Sequence, residues 1–237
     1  IKTNHFKYLK LSFKELMKVY KNLTIVGTSH IAKESILEVK NFILNNKPEI
    51  IALELDKKRL IALFDKRKLK LSNIKDIGVK GFLINLIGAY IEKKLGKLVG
   101  VSPGSEMKLA INLGKEYNAT IALIDQDISI TLKNLMKRIT LKEKLRIVID
   151  IFKGFILRKS DIEPFDLRKV PKEELIIKLI GKVKERYPSI YNTLIKERNE
   201  HMAKGLYKIM NDNKDKKILA IIGAGHERGI YEILQRN

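Results

Sequence analysis

The amino-acid sequence predicts an α/β fold with a mainly parallel central sheet of about four core strands. Four short apolar runs alternate with helical segments along the chain, and this alternation is typical of a parallel sheet. The runs are rich in β-branched residues and continuously apolar, which indicates strands buried on both faces. No linker divides residues 1–237, so we expect a single domain. The predicted strands are residues 23–27, 49–56, 120–127 and 217–226.

Helical segments are predicted for most of the remaining chain. Residues 12–20 are expected to form a helix because Ser12 and Glu15 have the spacing of a capping box. Two large helical insertions are expected to form a cap or a side layer on the sheet. The other predicted helical segments are 32–46, the two insertions at about 57–118 and 129–212, and a closing helix after residue 226.

Composition limits the possible functions. The chain has 48 Lys and Arg against 27 Asp and Glu, a formal net charge of +21, which favours anionic partners. The basic residues are spread along the chain and no nucleic-acid motif occurs, so nucleic-acid binding is the least favoured class of function. The absence of Cys excludes disulfides, thiolate metal sites and Cys nucleophiles. Any metal would be held by His, Asp or Glu.

The longest apolar window, residues 81–100, does not read as a membrane span. Lys93, Lys94 and Lys97 interrupt it, so we expect an amphipathic helix, with a helix lying on a membrane surface as the open alternative. No signal peptide is visible. The chain begins with Ile, and we therefore expect it to be a trimmed chain.

Each predicted strand ends in ionisable residues or His. In open α/β sheets, ligands bind outside the carboxyl ends of the strands. If the four strands are parallel and adjacent, two imidazoles and up to four carboxylates share one edge of the sheet. The four strand ends are Gly27–His30, Glu54–Asp56, Asp125–Asp127 and Gly223–His226.

The same pattern, Gly-x-x-His, closes the first and the last strand. Two neutral imidazoles with one or two carboxylates, from His30, His226 and Glu54, are suited to a hydrolytic metal site open to water. Such a metal would lower the pKa of bound water and polarise a carbonyl group. Asp56 or Asp127 could orient an imidazole or take a proton.

Structural alternatives exist for Glu54 and for the two histidines. A carboxylate inside an apolar run is costly unless it is paired, and Glu54 could cap a helix or pair with Arg59. A His that follows a strand could cap the next helix or bond to a loop. The sequence leaves these alternatives open.

Six blocks, in order, resemble the TraB/PrgY family, named for pheromone-shutdown proteins. The family is similar to Tiki and GumN proteins, and more distantly to ChaN-like and erythromycin-esterase-like (EreA-like) folds. Tiki-type proteins carry two Gly-x-x-His motifs and a Glu, and they act as metal-dependent peptidases. The blocks are "VGTSHIAKESILEVKNFI", "KPEIIALELDKKR", "GVSPGSEMKLAI", "ATIALIDQDISITLKNL", "ERNEHMA" and "IIGAGHERGI".

The resemblance implies a set of site residues. His30, Glu54 and His226 would hold one divalent metal, Mn²⁺, Co²⁺ or Zn²⁺; Glu54 could instead be the general base, with the histidines alone as ligands. Glu54, Asp56 and Asp127 are the candidate catalytic residues, and residues 129–212 would shape a substrate groove. The expected substrate-binding residues are Gly27, Arg59, Glu106, Asp125, Arg198, Asn199, Gly223 and Gly225.

Some positions leave the resemblance less complete. Gln126 stands where TraB-type sequences usually have Arg between two Asp residues. Arg59, Arg198 and Asn199 match polar positions of the family pattern, and salt bridges or helix caps are their alternative roles.

The leading hypothesis is a metal-dependent hydrolase, a peptidase acting on peptides near the membrane. The alternatives are a non-catalytic peptide-binding module of signal shutdown and a basic nucleic-acid-binding protein. The expected partners are a peptide substrate or ligand and an anionic membrane surface, without a specific nucleic acid, and a homo-oligomer is left open. Because many family members carry membrane helices after this domain, the expected location is cytoplasmic, at the cytoplasmic face of a membrane.

Overall fold

The computed structural model describes residues 17–29, 33–64, 104–157 and 171–236, and no side chain between 151 and 157. The predicted membrane-surface helix at 81–100 and the predicted metal ligand His30 lie outside the described residues. Most of the first predicted insertion lies outside them as well.

A five-stranded sheet forms the centre of the described structure, with strand order β1-β2-β5-β3-β4. The mainly parallel arrangement predicted from the sequence is confirmed, since β2, β5, β3 and β4 pair in parallel. Three of the parallel strands are shorter than predicted, because each ends before its ionisable residues, whereas the strand predicted over 23–27 extends to Thr28. The strands are β1 (Met17–Tyr20), β2 (Leu23–Thr28), β3 (Ile50–Leu53), β4 (Thr120–Leu123) and β5 (Ile218–Gly223).

The first strand corrects the last four residues of the helix predicted over 12–20, and residues 12–16 lie outside the described residues. Met17–Tyr20 is an edge strand that pairs antiparallel with β2, from Met17 opposite Val26 to Tyr20 opposite Leu23. Lys21, with a backbone φ of 53°, lies in the tight turn between them. The ladder of backbone hydrogen bonds to β2 outweighs the weak helical preference of four residues, since tertiary context routinely overrides local propensity.

Helices cover both faces of the sheet. α1 corresponds to the helix predicted over 32–46, of which residue 32 lies outside the described residues. α9 is the predicted closing helix. A π-helical turn, Asn192–Lys196, connects the helix Pro188–Tyr191 to the helix Glu197–Asp212. In chain order the helices are α1 (Lys33–Asn46), α2 (Lys57–Phe64), α3 (Ser105–Glu116), α4 (Ile128–Arg138), α5 (Leu141–Leu157), α6 (Glu173–Arg186), α7 (Pro188–Tyr191), α8 (Glu197–Asp212) and α9 (Ala224–Gln235).

Successive side chains of each strand point to opposite faces of the sheet, so the sheet has an apolar core on each face. On β5, Ile218, Ala220 and Ile222 face one core, and Leu219 and Ile221 face the other. α8 and α9 cover the first core, and α1 and α3 cover the second. The last helix of the second predicted insertion is α8, so this part of the insertion is a layer of the first core. The buried helix residues include Met202, Leu206, Ile230 and Leu234 in the first core and Val39, Ile43, Met107 and Ile111 in the second.

Among the described helices, none combines the length and the apolar character that crossing a membrane requires.

Candidate functional site

The parallel register brings the strand ends to one edge of the sheet. Leu53 lies opposite both Leu123 and Ile221, and Thr28 lies opposite Gly223. The chain then continues through Glu54, whose N–H donates to Ile221 O at 3.1 Å. Polar residues that follow separate strands therefore meet at this edge, which we call the carboxyl edge.

Glu54 is buried at the carboxyl edge, with 5% of its surface exposed. Its Oε2 accepts a hydrogen bond from the backbone N–H of Gly223, the first Gly of the second Gly-x-x-His motif. Its Oε1 accepts from Arg198 Nη2 and lies 3.6 Å from His226 Nε2. Glu54 thus connects the carboxyl end of β3 to the carboxyl end of β5.

Arg198, on α8, is the centre of the polar cluster. Its Nε donates to Asp125 Oδ1 at 3.1 Å, and its Nη2 donates to both Glu54 and Asp125. Its Nη1 lies 3.0 Å from His226 Nε2 and also donates to Leu194 O. Burial disfavours the charge of Arg198, but the hydrogen bond to Asp125 and the charges of both carboxylates outweigh burial and raise its pKa.

The contacts of His226 define its tautomer. A guanidinium has only N–H donors, so the His226 Nε2 beside Arg198 Nη1 has to be the acceptor. The proton is then on Nδ1, which lies 2.6 Å from Asn199 Oδ1 and donates to it. His226 is therefore neutral, with the lone pair of Nε2 directed at Arg198 and Glu54.

Asp125 anchors two arginines and is ionised. It accepts hydrogen bonds from Arg198 and from Arg59 Nη2. Burial raises the pKa of Asp125, but the hydrogen bond and charge of Arg198, together with the charge of Arg59, lower it further than burial raises it. The net effect is a lowered pKa. Arg59 forms its other ion pair with Asp56.

Asp56 and Asp127 cap helices. Asp56 Oδ1 accepts the backbone N–H groups of Lys58 and Arg59 at 2.7 and 3.0 Å, at the start of α2. Asp127 accepts the N–H of Ser129 at 2.7 Å and caps α4, and this hydrogen bond lowers its pKa. Both carboxylates thus satisfy helix N-termini, the role that Asp residues ahead of a helix commonly have.

The predicted glycines take part through close approaches. A Cβ on Gly27 would overlap Glu227 Oε2 and would lie 3.3 Å from Ala224 Cα. Gly225 lines a cavity described below. The predicted substrate-binding residue Glu106 is buried in the first turn of α3. His30 lies outside the described residues.

Two buried carboxyl groups with raised pKa values were not predicted from the sequence. Glu227 follows His226 directly, is 5% exposed, and its Oε1 has no hydrogen-bond partner in the described part of the chain. Burial raises its pKa to about 7. Glu38, on α1, is also buried, and burial together with the charges of Glu34 and Glu227 raises its pKa to about 8. The acid directly after the second Gly-x-x-His motif is the signal that could have pointed to Glu227.

Two adjacent cavities lie between α6, the π-helical turn and α9. Their volumes are about 290 and 320 Å³. Asn199, the partner of His226, borders both cavities, so they adjoin the polar cluster. The residues that line both are Tyr191, Asn199, Gly229 and Glu232.

The imidazole nitrogen of His226 and the carboxylate oxygen of Glu54 are types of atom that bind divalent cations. His226 Nε2 and Glu54 Oε1 lie 3.6 Å apart, and Asn199 fixes the imidazole as metal-binding histidines require. Both atoms already face Arg198, so a cation would need this guanidinium to move. Within the described ranges no three His, Asp or Glu side chains form a metal-sized group, and the predicted ligand His30 is outside them.

The fold and the cluster define a class, an α/β protein with a buried charged site at the carboxyl edge of a mainly parallel sheet. The chain matches the TraB/PrgY/gumN family over residues 16–237. It therefore belongs to this family, and the resemblance predicted from the sequence blocks is confirmed.

Proteins similar to this chain occur in Methanocaldococcus jannaschii and in mammals. The chain is 39% identical over 224 residues to the uncharacterized protein MJ1365 of Methanocaldococcus jannaschii, covering 91% of this chain and 54% of that protein. It is 20% identical over 232 residues to a TraB domain-containing protein of Bos taurus, covering 87% of this chain and 60% of that protein. The human TraB domain-containing protein is 19% identical, with 61% of its length covered. The chain thus spans less than two thirds of the length of these relatives.

Proposed function

We propose that this protein is a hydrolase of peptides, with its active site at the carboxyl edge. One observation carries the proposal: Glu54, Arg198 and His226 form a connected buried cluster where the parallel strands end. A buried ionic cluster stabilises a fold poorly compared with apolar packing, so its presence at a ligand-binding edge favours a functional role.

Peptide hydrolysis uses the groups of this cluster in complementary ways. Water adds to the scissile carbonyl carbon, the C–N bond breaks, and a proton passes to the leaving amine. Without a cation, His226 Nε2, with its free-base lone pair, or Glu54 Oε1 accepts the proton of the attacking water. A cation held by these two atoms would replace that base, because it would lower the pKa of its bound water. The five N–H groups of Arg198 are all used within the protein, so the guanidinium would have to release one partner in order to donate to the oxygen on which negative charge develops.

A divalent cation is part of the proposal. His226 Nε2 and Glu54 Oε1 would hold it, with His30 as the expected third ligand. The cation would supply Lewis acidity for the carbonyl group and a lowered pKa for bound water. Asp56 and Asp127, which cap helices, would support the loops around the site and leave the chemistry to the cluster.

A second candidate is a peptide-binding module without catalysis. One observation favours it: Arg198 already contacts both atoms that a metal would use. In this account the guanidinium takes the position of the cation, and the cluster holds a peptide carbonyl or carboxylate through hydrogen bonds.

Calorimetric titration distinguishes the two candidates. Metal-stripped protein is titrated with Mn²⁺, Co²⁺ and Zn²⁺, comparing the wild type with His226→Ala, Glu54→Gln and the control His201→Ala, an exposed histidine on α8. The hydrolase account predicts stoichiometric binding in the wild type and the control, lost in both cluster variants. Binding that is absent, or equal in all four proteins, would reject the metal and favour the second candidate.

The proposed location is an anionic membrane surface. α5 exposes Leu141, Leu145 and Val148 at helical spacing, beside Lys142 and Lys144. An apolar stripe flanked by basic residues supports adsorption to acidic lipid. Sedimentation with acidic and with neutral vesicles measures it, and equal partitioning into both would count against this location.

A further inference from the structure

A groove runs beside the polar cluster, between α6, the π-helical turn and α9. Its first half is the cavity of about 290 Å³, and four isoleucines supply most of its apolar wall. Glu227 and Asn199 reach the same cavity from the side of the cluster. π-Helical turns occur frequently at functional sites, and this one supplies part of the wall. The apolar wall residues are Ile176, Ile177, Ile180 and Ile195.

Glu227 is the polar group of this first half that lacks a partner. It is 95% removed from solvent, and its Oε1 accepts no hydrogen bond from any described residue. The other carboxylates lining the cavity are paired, Glu173 with Lys18 at 3.1 Å and Glu232 with Arg228 at 2.8 Å. A buried carboxyl oxygen without a donor is costly, and a ligand N–H group would remove that cost.

The second half of the groove has more basic than acidic side chains. The cavity of about 320 Å³ is lined by Lys184, Lys196 and Arg236, together with Glu200 and Glu232. Glu232 is paired with Arg228. It shares Tyr191 and Asn199 with the first half, so the two halves are continuous. The groove therefore has a carboxylate and an apolar wall at one end and basic side chains at the other.

We propose that this groove binds the amino-terminal end of a peptide, with the free α-ammonium group at Glu227. The first side chains of the peptide pack on the isoleucine wall, and an acidic group further along the peptide reaches Lys184, Lys196 and Arg236. The inference rests on the proposed function for the class of ligand, a peptide. It adds selection for a free amino terminus followed by apolar residues, with an acidic residue beyond them.

The test measures binding without catalysis. The pentapeptide Leu-Ile-Ala-Gly-Glu and its N-acetylated form are titrated calorimetrically into the full chain in the presence of a chelator. Hydrogen bonds to charged groups contribute about 1.5–3 kcal/mol, so the free amine should bind at least about tenfold more tightly than the acetylated peptide. Glu227→Gln should abolish this preference, because the amide carries no charge and keeps the shape of the side chain.

Controls separate the groove from the fold and from the hydrolase. Glu232→Gln, an exposed and paired carboxylate of the same groove, should keep the preference for the free amine. Thermal unfolding checks that Glu227→Gln is folded. Equal affinity for the two peptides, no affinity for either, or a preference that survives in Glu227→Gln would overturn the inference. Because the chelator removes metal, failure of the metal titration would leave this result intact, and hydrolysis without amino-terminal preference would reject the groove alone.

Discussion

Arg198 Nη1, on α8, lies 3.0 Å from His226 Nε2, on α9, although the two residues are 28 positions apart in the chain. The contact joins the second Gly-x-x-His motif to Glu54 and Asp125, because the same guanidinium binds both carboxylates. The guanidinium therefore determines the protonation of His226 and balances the buried negative charge at the carboxyl edge.

Removal of Arg198 should destabilise the protein strongly. Arg198→Met leaves Glu54 and Asp125 buried without their common cation, and breaking a buried pair typically costs about 3–5 kcal/mol of unfolding free energy. Denaturant unfolding measures the loss. The matched control is Arg228→Met, whose exposed pair with Glu232 should contribute less than about 1 kcal/mol. Similar losses in both variants would contradict the central position of Arg198.

The tautomer of His226 is directly measurable. We expect nitrogen-15 NMR to show a protonated Nδ1 and an unprotonated Nε2, because Asn199 accepts at one nitrogen and Arg198 donates at the other. Asn199→Leu should weaken this preference without abolishing it, since the hydrophobic side chain offers no acceptor to Nδ1–H while Arg198 still donates at Nε2. A protonated Nε2 in the wild type would show that the assigned contact with Arg198 is wrong.

Glu38 should make stability depend on pH. Its pKa is raised to about 8 in the folded protein from an ordinary value of 4.5, so folding is favoured by the protonated form. Its contribution to the unfolding free energy is therefore complete below pH 4.5 and is lost as the pH rises toward 8. Glu38→Gln removes this loss and should stabilise the protein at pH 8 to 9, with little effect at pH 4.

Unfolding free energies measured across this pH range check the prediction for Glu38. The control is Glu116→Gln, an exposed residue of α3, which should leave the pH profile of the wild type unchanged. A Glu38→Gln profile parallel to that of the wild type would indicate that Glu38 has an ordinary pKa.

Two glycine substitutions should have opposite effects. Gly27→Ala places a Cβ on the carboxylate of Glu227 and should cost about 1–3 kcal/mol of unfolding free energy, as overpacking does. Gly181→Ala, inside α6, meets no described atom within 4 Å and should stabilise the helix by up to about 1 kcal/mol. In the background Glu227→Ala, the cost of Gly27→Ala should fall, and an undiminished cost would locate the clash elsewhere.

The location of the site followed from the sequence because parallel strands bring their carboxyl ends together. Glu54, Asp125 and His226 meet there for this reason. Arg198 was expected only among the lining residues, because its position 144 residues from Glu54 gives no local signal for a contact. A buried network of this kind depends on which helix packs on the strand ends, and periodicity does not specify that choice.

Other parts were less predictable for local reasons. The strand Met17–Tyr20 is four residues long, too short for a period to be recognised, and its pairing partner decides its conformation. Asp56 and Asp127 were predicted only as residues that take a proton or orient an imidazole, and the structure shows that each caps the helix that follows it. Glu227 was missed because its position directly after the second Gly-x-x-His motif does not by itself indicate that the acid is buried.

The central claim, that the carboxyl edge hydrolyses peptides, is tested most directly by mass spectrometry of a defined peptide mixture. Wild-type protein is incubated with the mixture and Mn²⁺, Co²⁺ or Zn²⁺, beside Glu54→Gln, His226→Ala and the control His201→Ala. The account predicts metal-dependent cleavage by the wild type and the control, reduced at least about a hundredfold in both cluster variants. Peptides left intact by the wild type with every metal, or cleavage that persists in both cluster variants, would contradict it.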